Sequence, residues 1–129
     1  MSGSAKRTGI GFWLHDNVPR PNDAAPEYEE DFLDALEVVE KFLKETAKMS
    51  SAYRHRYRIY LGFATCRICG KPAGSATYAF GNYEWPQGYK HYVEHHHVEV
   101  PKEFRDFIFW LAGLTEDQSS GPIVEPAPR

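Results

Sequence analysis

The chain has 129 residues, 42% of them hydrophobic and 15% aromatic, with 18 acidic and 15 basic side chains giving a net charge of -3. That length suits one folded domain with its own core, and the apolar content sets it apart from disordered sequences. The negative balance argues against non-specific coating of nucleic acid, and no run of about eighteen apolar residues is present to span a bilayer, so a soluble, cytoplasmic protein with no membrane partner is expected.

Residues 1–8 read as a flexible leader, residues 9–114 as a single α+β domain, and residues 115–129, with their serines and prolines, as a disordered tail. The apolar run 10–14 fits a strand or a segment packed on the core. Pro19 and Pro21 then mark a loop, because proline removes an amide donor and biases its neighbour away from helix. From Pro26 to Met49, Tyr28, Phe32, Leu36, Val39, Leu43 and Ala47 recur at steps of three and four, which places them on one face of a long helix. Glu27, Glu29, Glu30 and Asp31 at its start and Lys44 and Lys48 near its end complement the helix dipole.

Residues 57–65 are rich in aromatic and β-branched side chains and predict a strand. Just before it, residues 53–58 alternate arginine with tyrosine or histidine; if extended, they put Arg54, Arg56 and Arg58 on one face. Gly81 and Asn82 between residues 76–80 and 83–85 are the two-residue turn of a β-hairpin. Pro86 is expected to open a helix running into the histidines. Pro101 opens a last helix, with Phe104, Phe107, Ile108 and Leu111 on one face, that ends near Gly113. The expected architecture is a long N-terminal helix packed on a small antiparallel sheet, a knuckle at residues 66–70 followed by a hairpin and a helix, and a C-terminal helix.

The only two cysteines, Cys66 and Cys69, and four of the six histidines, His91, His95, His96 and His97, fall within one third of the chain. Cysteines with only two residues between them close too small a loop to serve as a disulfide framework, whereas thiolate and imidazole together are the donors structural zinc prefers. Gly70 after the second thiol permits the turn of a knuckle. His91 and His95 lie one helical turn apart on one face, and His96 is an equal candidate if the helix unwinds there, so the expected ligands are Cys66, Cys69, His91 and either His95 or His96. His97 is the weaker choice.

The order of knuckle, hairpin and helix, carried by Cys66, Cys69, His91 and His95 or His96, resembles the treble-clef and related ββα zinc fingers over about residues 63–98. In this chain the second ligand pair falls late in the helix, unlike the commonest treble-clef pattern. Cys66 to Gly70, with Trp85 to Gly88, His91 to Val93 and Pro101 to Phe104, is also similar to a segment of small bacterial zinc-binding proteins; that likeness implies no activity.

A catalytic zinc needs an open position and a base. Glu94 or Glu99 supplies a carboxylate for a zinc-dependent hydrolase or nuclease, but neither the histidine-glutamate order of zinc deaminases nor the His-Glu-x-x-His order of metalloproteases is present. Residues 53–71 carry Arg54, Arg56, Arg58, Arg67 and Lys71 with no acid, the composition of a nucleic-acid groove, although pairing with the acidic first helix explains it as well. Phe104, Phe107, Ile108, Phe109, Trp110 and Leu111 make the last helix apolar around more than one face, which favours a protein partner or homo-oligomer. The leading expectation is a non-enzymatic binding or adaptor protein held by structural zinc.

Overall fold

The computed structural model describes residues 7–13, 18–60, 62, 64–116 and 125–126. Its elements are β1 (Thr8–Gly9), α1 (Glu29–Thr46), β2 (Tyr57–Ile59), β3 (Ala76–Phe80), β4 (Tyr83–Pro86), α2 (Tyr89–His96) and α3 (Lys102–Glu116). The sheet order is β1-β4-β3-β2. β2, β3 and β4 run antiparallel, and Phe80 pairs with Tyr83 across the two-residue turn at Gly81 and Asn82. The short β1 adds a parallel edge on β4, so the sheet is mixed. An α+β fold results.

Alternation along the hairpin decides where the helices lie. Tyr78, Phe80 and Trp85 point to one face and are buried with Phe32, Leu36, Val39 and Leu43 of α1 and Phe104, Ile108 and Leu111 of α3. Phe104 is the centre of this core, with ring centroids of Trp85, Tyr83 and Tyr89 at 5.2, 5.3 and 5.8 Å. Burying side chains of this kind contributes roughly 1.5–3 kcal/mol each, the dominant favourable term in a domain this small.

Several local expectations change. Residues 53–56 are not extended: Ser51–Arg56 form a 3-10 helix, started by the Ser50 hydroxyl accepting the Ala52 amide at 3.1 Å, and only Tyr57 and Arg58 of the expected stretch are in the strand. The strand that follows stops at Ile59, and Thr65 pairs separately with Pro72 in the knuckle. Pro86 does not open a helix but closes β4 opposite Thr77. α2 begins at Tyr89 after Gly88, where a Cβ would lie 2.3 Å from the Ala73 carbonyl oxygen; the helix start packs too closely on the knuckle for a side chain. At the C-terminal end, α3 continues through Glu116, and within the segment expected as a tail Glu125 and Pro126 pack against the hairpin turn.

Candidate metal centre

The knuckle is a small loop closed on itself by backbone bonds. Cys66 donates its amide to Lys71 at 2.8 Å, Gly70 to Cys66 at 2.9 Å, and Ala64 and Ala73 bond on either side of the loop base. Gly70 has φ 77, a left-handed conformation that costs glycine little. The Ile68 amide points at the Cys66 sulfur at 3.4 Å. Cys66 is buried and Cys69 exposed, so the first thiol anchors the loop in the fold and the second reaches outward.

α2 lies across this loop. The Tyr92 hydroxyl accepts the Arg67 amide at 2.6 Å, and Tyr92, Cys66 and Val98 form a small buried cluster with Trp13 and Ile68 against it. That contact places the knuckle over the helical row of Tyr92 and His96. Cys66 Sγ then lies 3.4 Å from His96 Nε2, and Cys69 Sγ lies 3.3 Å from His91 Nε2. All four donor atoms fall within 4.8 Å of one another. A zinc tetrahedron with ordinary Zn–S and Zn–N bonds has edges of about 3.3–3.8 Å, so small side-chain adjustments suffice to bring all four donors within bonding reach of one ion.

His95 stands outside this group. Its ring packs beside His91 at 4.8 Å between centroids, while its Nε2 meets the Glu94 carboxylate at 3.4 Å on an exposed surface. One-turn spacing picks out the row of His91 and His95, but the Tyr92 anchor brings the knuckle over the adjacent row. His97 is committed elsewhere: it closes α2 in a left-handed conformation, and its Nδ1 bonds the buried Glu29 carboxylate at 2.9 Å.

The electrostatics favour the ligand forms. Burial pushes the Cys66 thiol up, but the amides of Cys69 and Ile68, the Cys69 thiol and the Tyr92 hydroxyl outweigh it and hold the group below the ordinary thiol value. Burial lowers His91, and the neighbouring His95, His96 and Lys71 lower it further against the opposing effect of Glu94. Thiolate and neutral imidazole are what a metal requires. The donor set fits zinc: two sulfurs and two nitrogens suit a soft to borderline ion in a tetrahedral shell.

The fold removes one member of the basic strip from the surface. Arg56 is buried, its guanidinium 3.9 Å from the Tyr53 ring centroid and its Nε bonded to Glu125 at 3.0 Å, not to the acidic first helix. Arg54, Arg58, Arg67 and Lys71 are exposed. Beside the knuckle a cavity of about 570 Å³ is lined by Phe12, Trp13, Tyr60, Cys66, Arg67 and Tyr92, among others. On α3, Trp110 is 47% exposed. The sequence alone did not single out Tyr92 and Gly88 as positioning residues; an aromatic one turn before His96 and a glycine at the helix start are the signals that mark them.

Compared with protein-family models, curated proteins and solved structures, the chain matches none. The centre is therefore defined by its own geometry, a Cys2His2 cluster suited to a metal ion. No helix among the described residues is long and apolar enough to cross a membrane.

Proposed function

We propose that the protein is a small zinc-stabilised binding or adaptor module that acts through protein–protein contacts, with a structural zinc ion held by Cys66, Cys69, His91 and His96. The observation that carries this reading is the convergence of two thiols and two imidazoles on one point, each sulfur facing one ring nitrogen. Four protein donors complete a tetrahedron and leave no position for a reacting water. Glu94, one of the two carboxylates considered as a base, has its Oε1 3.4 Å from His95 Nε2 on the exposed surface of α2.

Two surfaces support binding as the task. The aromatic cavity against the knuckle carries Arg67 among its lining, and exposed Trp110 stands on α3; tryptophan, tyrosine and arginine are the side chains that dominate protein interfaces. The nucleic-acid alternative has lost Arg56 from its surface and keeps Arg54, Arg58, Arg67 and Lys71.

X-ray absorption on zinc-loaded protein tests the centre. Two sulfur and two nitrogen neighbours are expected, with His96→Ala losing zinc affinity and His95→Ala retaining it; a water oxygen in the wild-type shell would overturn the structural assignment. For the surfaces, Trp110→Ser and Arg67→Glu are expected to keep zinc and lose a directly measured protein complex or self-association. Salt-sensitive binding of single-stranded nucleic acid, abolished in an Arg54/Arg58/Arg67 alanine variant, would favour the alternative instead.

A further inference from the structure

On the far side of the hairpin from the metal centre, four donors converge on the carboxylate of Glu125. Arg56 Nε reaches Oε1 at 3.0 Å; His55 Nε2 at 2.7 Å, the Gly81 amide at 3.0 Å and an Arg7 guanidinium nitrogen at 3.6 Å all fall on Oε2. Arg7 is itself positioned by Nε donating to the Gly81 carbonyl at 3.1 Å. The Arg56 side chain is only 3% exposed and lies over the rings of Tyr53, Phe42 and Phe80. A guanidinium buried this deeply requires an anion beside it.

We propose that Arg7, His55, Arg56 and the Gly81 amide form an oxyanion-binding site for a phosphate group, which Glu125 occupies in cis as a tethered stand-in. Three of the four donors crowd one carboxylate oxygen; a phosphate group spreads the four donors over three terminal oxygens and offers a second negative charge to the arginines. The site also opens onto space for the remainder of a ligand. Arg7 and His55 line a hollow of about 290 Å³ on the outer face of the sheet, together with Phe12, Arg58, Tyr60 and Glu84. Aromatic surface, a further cation and one acceptor suit a phosphate monoester with a flat organic part.

A tethered carboxylate competes at an effective concentration on the order of millimolar, so free phosphate binds the full chain weakly and binds it better once the carboxylate is removed. Titration of the zinc-loaded full-length protein with inorganic phosphate, followed through the Gly81 amide and His55 ring resonances, tests this. Glu125→Gln keeps the size and one acceptor and is expected to saturate at a roughly tenfold lower phosphate concentration than wild type. Adding Arg7→Ala to that variant should reverse the gain. In wild type, saturating phosphate should release Glu125 and Pro126 from the hairpin turn, and chloride at matched ionic strength should not. Equal phosphate response in wild type and Glu125→Gln, an undiminished response in the double variant, or release by chloride would each overturn the assignment and leave Glu125 a structural tie.

Discussion

The two halves of this molecule solve the problem of burial by opposite means. Around Phe104, α1, α3 and the sheet fill one another with aromatic and branched side chains, and Phe32, Leu36, Val39, Leu43, Phe80, Trp85, Ile108 and Leu111 are completely buried. Among the described residues, the knuckle lobe has Cys66, Tyr92 and Val98 buried together, with Trp13 and Ile68 at their side. A loop of that kind cannot repay its ordering entropy by apolar contact. What it has instead is four convergent donor atoms suited to a metal ion, and the proposed structural zinc would then stabilise the knuckle lobe far more than the aromatic core.

The largest test of that contrast is removal of the metal. Structural zinc in small finger-like units contributes an apparent binding free energy of about 10–16 kcal/mol near neutral pH, much of it spent on ordering the site. Chelation, or Cys69→Ala, is therefore expected to abolish amide protection over residues 64–74 and loosen the end of α2, while α1 and α3 keep theirs. Hydrogen exchange with and without chelator reads this directly. Loss of protection in α1 and α3 together with the knuckle would make the two halves one cooperative unit and break the comparison.

The reciprocal experiment strikes the apolar half. Phe104 is fully buried and touches the rings of Phe32, Tyr83, Trp85, Tyr89 and Phe107. Phe104→Ala leaves a cavity among rigid rings and is expected to lower stability by about 3–5 kcal/mol, measured by urea unfolding of the zinc-loaded protein. Zinc affinity below the unfolding transition should change little. A large loss of affinity would show that core packing, through Tyr89 and Val93 of α2, sets the position of the histidines.

The same contrast explains what could be read from the sequence. Periodic burial is written into residue spacing, so the α1 face and the hairpin were legible, and Gly81 with Asn82 placed the turn in register. The cysteine pair and the histidine cluster were legible as chemistry. Which histidine faces the thiols was not, because that depends on a contact between distant segments, the Tyr92 hydroxyl on the Arg67 amide. Arg56 was misread for the same reason. Alternation with Tyr53 and Tyr57 looked like an exposed basic face, but a 3-10 helix turns this guanidinium inward, and its partner is 69 residues away at Glu125. Pro86 fits either a first helical turn or the end of a strand; the tight approach of Gly88 to Ala73 places the helix start beyond it.

The smallest predicted effect concerns an acidic group set against the apolar half. Glu40 on α1 accepts the indole N–H of the fully buried Trp85 at 3.0 Å. Burial pushes its carboxyl up from 4.5 to about 7; the Trp85 bond and Lys90 oppose the shift, and Glu37 adds to it. The folded state therefore holds this proton more tightly than the unfolded state does. By linkage, the associated stability is fully present below the unfolded value of 4.5 and is lost as pH rises through about 7. The expected loss is about 1–3 kcal/mol across that window. Glu40→Gln keeps the acceptor for Trp85 without the charge, so its stability should lack this decline. Unfolding of both proteins in urea from about pH 5 to pH 8 isolates the effect, since the thiols and imidazoles of the knuckle titrate alike in each and cancel in the difference. If the two curves run parallel, Glu40 ionises without cost, which would mean that water reaches the core at Trp85 and that the two halves differ less in dryness than their packing implies.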